Sequence, residues 1–383
     1  MLKNIFNFLI YSTICLSLIG CKAKIDKENQ FIQIDVNASS TEKAINLSEI
    51  ADIEYLQLDF NDEFLFNEPP ENITDSKLII HQLNGDILVF LRSGKPLSKF
   101  NHTGNGPGEY ASITGKCFYD EAADEIYVRT WNKLMVYSLS GLYRREIPLL
   151  EEDGASITNI VVFDSETLLL HDENVVYASP FVLISKQDGS VLETVNLPVY
   201  KRLILKVLTD EWEGGKAYAG LPLTNILRYN NGYLLSDFSN DTIYFFSREK
   251  VLSPIMVRKP EVQSMNPVIA LHGFVEAGNY EFMFTTKVQL ENKRLPRKYL
   301  MRDKTTGSMF VPAITFDDYR GKVVDISPFT VLNTTDSKLG VIVLSMTELK
   351  DANLENKLSG RLKELVDNSD EEGNDIYMLL HFK

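Results

Sequence analysis

The residues best able to do chemistry are few and scattered. Five histidines occur, at positions 81, 102, 171, 272 and 381. None stands in HxH or HExxH spacing, so no single stretch assembles a zinc site. His171-Asp172-Glu173 and Asp237 with Asn240-Asp241 offer oxygen ligands for calcium, without the dense alternation of a calcium loop. Hairpin turns favour Asp and Asn for their own backbone hydrogen bonds. Calcium is therefore the one cofactor considered, and no metal ligand is assigned. No G-x-S-x-G elbow and no Cys–His pairing marks a nucleophile, so no catalytic residue is assigned either.

Two other features carry possible binding chemistry. The first is the loop Gly104, Gly106, Pro107, Gly108, Glu109 and Tyr110. Its glycines allow close backbone approach and present amide groups. A phosphate cradle is excluded by context, because no Lys-Ser/Thr follows and no helix opens there; Glu109 would also repel an anion. The loop reads as a tight crossover between repeats, with Tyr110 as a wedge. The second feature is the pair of tryptophans, Trp131 and Trp212, each in a polar setting. An exposed aromatic stacks on a sugar ring or anchors a peptide. Trp212, in the Gly-rich segment 211–221, leads, followed by Trp131 with Arg129 and Tyr218 as companions.

The elements that must position these residues are short strands. Apolar runs bounded by Gly, Asn, Asp and Pro recur through most of the chain. A strand–turn–strand unit repeats at 86–100, 132–147, 180–197, 241–257 and 298–312. Its turn glycines Gly94, Gly141 and Gly189 are spaced by 47 and then 48 residues. A unit of that size with four short strands is the signature of a propeller blade. Five hairpins and one blade closed by the chain ends predict an all-β, six-bladed β-propeller over 44–383. A tandem β-sandwich is the rival, but it would not repeat the turn. Leucines at 349, 354, 358, 362 and 365 predict an amphipathic helix over 346–368, inserted before a closing strand at 375–382.

The 383 residues carry 44% apolar side chains and a net charge of −14. That is ample for a core, and it argues against nucleic acid, whose phosphates require a basic face. The first 20 residues join Lys3 to an apolar run too short for a comfortable membrane span. The run ends in Leu18-Ile19-Gly20-Cys21, which resembles the bacterial lipobox. That resemblance implies cleavage before Cys21, acylation of Cys21 and anchoring of the chain to a membrane. Lys22 after the cysteine leans toward the outer membrane. Residues 21–43, polar and charged, read as a flexible tether. Of the three cysteines only Cys117 then remains free, in an apolar setting that suits a buried structural thiol.

The lipobox, the glycine loop 104–110, the hairpin opening Asn240-Asp241-Thr242-Ile243-Tyr244 and the leucine-rich C-terminal segment together resemble six-bladed, NHL-like propeller lipoproteins of Bacteroidetes. The resemblance spans nearly the whole mature chain and implies a fold and a cell-envelope address, but no reaction. The leading expectation is a non-catalytic propeller that binds a glycan, a peptide or a partner protein. The alternative is a metal-dependent propeller hydrolase or lyase with its site at the central channel.

Overall fold

The computed structural model describes residues 31–59, 61–66, 68–150, 154–198, 201–203, 206–221, 225–324, 338–369 and 374–383. The signal segment and Cys21 lie outside these residues. Residues 33–383 form one compact unit. Among the described residues, no helix is long and apolar enough to cross a membrane.

Five blades follow one another, each with four consecutive antiparallel strands. Blade 1 is Asn72–Ile73, Lys77–His81, Ile87–Leu91 and Pro96–Phe100, and blade 2 is Phe118–Asp120, Glu125–Arg129, Lys133–Ser138 and Tyr143–Pro148. Blade 3 is Ile157–Val162, Thr167–Asp172, Phe181–Ser185 and Val191–Val195. Blade 4 is Ile226–Tyr229, Gly232–Leu235, Thr242–Ser247 and Leu252–Lys259, and blade 5 is Ile269–Ala277, Tyr280–Lys287, Arg297–Asp303 and Met309–Thr315. All five repeated hairpins are the third and fourth strands of these blades.

The chain ends supply one further sheet of three strands, Leu339–Leu344, Ile376–Phe382 and Ala51–Gln57. This corrects the expected count: the described residues build five blades of four or more strands, not six. The closing sheet lies between blades 5 and 1. One face of it (Leu344, Ile376, Met378, Leu380) shares a core with Val275, Ala277 and Met301 of blade 5. Its other face (Val341, Tyr377, Leu379) packs on Leu78, Ile80, Leu88 and Phe90 of blade 1. Equivalent cores join blade 1 to 2, blade 2 to 3 and blade 3 to 4. The ring is therefore an all-β propeller, because each sheet has two apolar faces and can bury them only between neighbours.

The turn glycines recur for a steric reason. Gly94, Gly141 and Gly189 hold φ of 89°, 82° and 75°, the left-handed region that a Cβ disfavours. Each also presses on the outer strand of the preceding sheet. A Cβ would lie 2.4 Å from the Gln57 carbonyl oxygen, 2.6 Å from Phe100 Cβ and 2.4 Å from the Pro148 carbonyl oxygen, respectively. In blade 4 the turn takes Lys250 instead, at φ 62°, and its ammonium reaches Glu193 of blade 3 at 2.7 Å.

Two further expectations are corrected. The tether expected over 21–43 is not free along its whole length. Ile32–Asp35 adds a fifth strand to blade 4, and Glu42–Asn46 pairs in parallel with the outer strand of blade 5. The alternation Ile32, Ile34, Val36 explains it, since Ile34 and Val36 are buried against the sheet edge. The single helix expected over 346–368 is two, Met346–Leu354 and Gly360–Asp367. Asn356 and Gly360 take positive φ, which ends one helix and starts the next. The break docks on the segment that follows the outer strand of blade 5, where the Ser359 amide donates to the Asp318 carbonyl at 2.9 Å.

Candidate functional site

Antiparallel blades place two kinds of connection on the same edge of the ring: the turns between second and third strands, and the links between blades. Among the described residues, Trp131, Arg129, the ribbon with Trp212 and Tyr218, and the glycine loop all fall on or beside these connections. The structure distributes them along the edge rather than gathering them in one pocket.

Trp131 tops the turn between the second and third strands of blade 2 and is 77% exposed. The turn beneath it is fixed: the Thr130 amide and hydroxyl both donate to the Lys133 carbonyl at 2.9 Å, and the Leu149 amide donates to that of Asn132 at 2.7 Å. Arg129 does not share this exposure. Its guanidinium turns to blade 3 and donates to the Ile157 carbonyl. A Cβ on Gly115 would meet Arg129 Cδ at 2.6 Å, so the stem is packed as well.

Trp212 and Tyr218 belong to a two-stranded ribbon, Val207–Trp212 with Gly215–Ala219, in the link from blade 3 to blade 4. Trp212 pairs with Gly215 at the ribbon tip, and its side chain lies outside the described residues. Tyr218 is 55% exposed and sits opposite the exposed Leu208, so the ribbon carries an apolar pair facing water.

The glycine loop is a link between blades 1 and 2, closed on itself. The Glu109 carboxylate accepts the Gly106 amide at 2.7 Å and fills the space where a Cβ on Gly104 would stand, 2.0 Å from Glu109 Oε2. The Gly104 amide donates to the Tyr110 carbonyl at 3.0 Å. Two of the amides that a phosphate would need are thus already used. Tyr110 is buried among Ile79, Ile87 and Val89 of blade 1 and Ile126, Val128 and Met135 of blade 2. Its hydroxyl donates to the Gly85 carbonyl at 2.8 Å, and burial pushes the phenol up to about 12.

A buried polar tie joins blades 3 and 4. The Thr158 hydroxyl lies 2.6 Å from His171 Nδ1, and His171 Nε2 lies 3.3 Å from Asp237 Oδ2. Arg202, in the link between these blades, donates to the same Asp237 oxygen and to the Glu173 carbonyl. The Ser239 amide donates to Asp237 Oδ1 at 2.9 Å. Burial alone would raise the Asp237 carboxyl, but the bonds from His171 and the charge of Arg202 outweigh it and hold the group well below the carboxylate range. Asp237, one of the oxygen donors offered for calcium, is spent on His171 and Arg202.

Sequence reasoning missed one grouping altogether. Glu71, His81 and Cys117 bring a carboxylate oxygen, an imidazole nitrogen and a thiol sulfur within 4.8 Å of one another. The three residues come from separate strands and links, so no local spacing announces them.

The fold is an all-β propeller whose closing sheet joins strands from near both ends of the described chain. Residues 31–381 match the family described as a domain of unknown function, DUF4934, and the chain belongs to that family. No curated protein matches it. Among solved structures it is similar to a protein from Bacteroides fragilis described as exported. The two share 16% identity with a TM-score of 0.61, over 92% of this chain and 99% of that one. Weaker likenesses include the WD40 domain of Pan2 from Neurospora crassa, at 10% identity and TM-score 0.35 over 82% of this chain and 89% of that one. Virginiamycin B lyase from Staphylococcus aureus is similar at 11% identity and TM-score 0.32, over 66% of this chain and 96% of that one. At these levels they say nothing about chemistry.

Proposed function

We propose that the protein is a non-catalytic binding propeller of the bacterial cell envelope, held at the outer membrane by a lipid on Cys21. Its ligand is a glycan, a peptide or a partner protein, taken at the edge that carries the inter-blade links. The observation that carries this reading is Trp131: a large aromatic, 77% exposed, on a turn whose backbone is fixed by hydrogen bonds. A preordered aromatic loses little freedom on binding, which is what interface anchors share. The exposed pair Leu208 and Tyr218, on the ribbon in the link from blade 3 to blade 4, adds exposed apolar area. The lipobox-like Leu18-Ile19-Gly20-Cys21 and the exported Bacteroides relative support the address.

The test is a thermal-shift panel of glycans and peptides on the soluble chain 22–383. A ligand at 100 times its dissociation constant adds about 2.7 kcal/mol, readily seen as a raised midpoint. Trp131→Ala should abolish that shift while melting like the parent without ligand. A ligand shift that survives in Trp131→Ala would overturn the assignment of this edge.

A further inference from the structure

We propose that Glu71, His81 and Cys117 form a transition-metal site, suited to zinc, at the junction of blades 1 and 2. Three observations carry it. The first is placement. Glu71 and Cys117 stand at equivalent positions, each directly before the innermost strand of its blade, and His81 ends the second strand of blade 1. Their backbones are held by the sheets: the Glu71 amide donates to the Ile79 carbonyl at 2.9 Å, and His81 stands in register with Ile87. Ligands carried on such strands are more precisely held than ligands on free loops.

The second is distance. Glu71 Oε2 lies 3.9 Å from His81 Nδ1, and all three donor atoms fall within 4.8 Å. Zinc bonds of about 2.0 Å to nitrogen or oxygen and about 2.3 Å to sulfur require tetrahedral ligand separations of roughly 3.3–3.5 Å. The side chains need to close by about 1 Å, within the reach of χ adjustments on a fixed backbone. The same Glu71 oxygen accepts the Cys117 amide at 2.9 Å, which aims the carboxylate at the thiol's side of the cleft.

The third is donor chemistry. A thiolate with imidazole and carboxylate is a borderline-soft set that suits zinc and excludes calcium, which takes oxygen only. Cys117 is 1% exposed, while the side chains of Glu71 and His81 are 21% and 16% exposed. Three protein ligands with one open flank leave a fourth position to water or an outside donor. On binding, the Cys117 thiol gives its proton to solvent and its sulfur lone pair to the metal.

The experiment is titration of soluble 22–383 with Co2+, followed by Zn2+. With Cys15 and Cys21 absent from this chain, Cys117 is its only cysteine, so a thiolate-to-cobalt charge-transfer band has one possible source. The expected result is a band that saturates at one equivalent and is bleached by zinc. It should be lost in Cys117→Ser, and binding should weaken at least tenfold in both His81→Ala and Glu71→Gln. No charge-transfer band in the folded parent overturns the site, as does cobalt binding unchanged in His81→Ala and Glu71→Gln. The latter pair keeps the test decisive should Cys117→Ser misfold.

Discussion

The steric role of the turn glycines can be separated from their backbone role by comparing equivalent turns. Gly189 of blade 3 and Gly307 of blade 5 occupy the same turn between third and fourth strands, at φ 75° and 72°. Alanine at either position pays for a left-handed backbone, about 1–2 kcal/mol. Only Gly189 abuts its neighbour: its Cβ would lie 2.4 Å from the Pro148 carbonyl and 3.3 Å from Ile147 Cγ2, whereas Gly307 meets nothing closer than Arg302 Nη2 at 3.9 Å. Neither Pro148 backbone nor the strand that carries it can yield alone, because Ile147 is fully buried between blades 2 and 3. Forcing that contact adds an overpacking cost of about 1–3 kcal/mol. Gly189→Ala should therefore destabilise by roughly 2–5 kcal/mol, against roughly 1–2 for Gly307→Ala. Urea unfolding of 22–383 measures both, with unchanged slopes showing that the unfolded states are comparable. Equal losses in the two variants would refute the claim that the repeat keeps glycine to let one blade touch the next.

Four other outcomes follow from the structure and, for Cys21, from the sequence. A chain starting at residue 47 lacks both N-terminal strands and the buried side chains of Ile34, Val36 and Ile45. At about 1.5–3 kcal/mol each it should lose roughly 5 kcal/mol or more by denaturant unfolding, and the bared outer strand of blade 4 should promote aggregation on size exclusion. Asp237→Ala leaves Arg202 and His171 without their shared carboxylate and should cost about 3 kcal/mol at neutral pH, read by thermal unfolding. The Asp237 carboxyl is depressed from its ordinary 3.8, so its contribution is complete above that value and is lost as pH falls through the lower folded value. The parent's stability should thus fall more steeply than that of Asp237→Ala below pH 4, and parallel acid limbs would refute the tie. Cys21→Ala in the full chain should move the protein from the membrane fraction to the soluble one, and persistence in the membrane would end the lipid-anchor reading.

Much of the fold was legible because a propeller repeats its punctuation. Ser-Gly, Asp-Gly and Thr-Gly turns between apolar runs located the outer hairpins of blades 1, 2, 3 and 5, and Arg248-Glu249 located that of blade 4 without a glycine. The chain ends were harder. Ile32–Asp35 is only four residues long and sits in a polar segment, so its alternation was outweighed by the charge around it. The break near Asn356 was hidden by leucine spacing that continues across it, because the docking of Ser359 on Asp318 is a tertiary contact with no local signature.

The candidate site was less legible because its exposed aromatics and its buried polar atoms obey different rules. Trp131 stands out in sequence as a rare residue in a polar turn, but its exposure depends on the short turn that lifts it clear of blade 2. Arg129 has the same sequence setting and is instead drawn across to Ile157 by an acceptor 28 residues away. The repeat offers a route to such contacts. Turn glycines 47 residues apart imply that positions about one period apart face each other across neighbouring blades. Thr74 and Glu121, 47 residues apart, are hydrogen-bonded at 3.2 Å, and Glu71 and Cys117, 46 apart, are joined at 2.9 Å. Shifting the sequence by the 47-residue glycine spacing sets Glu71 on Phe118, one residue past Cys117, and so brackets the contact to within a residue. The second strand of blade 1 then supplies His81. The period thus brackets one pair of the grouping, and the fold of blade 1 on itself adds the third residue.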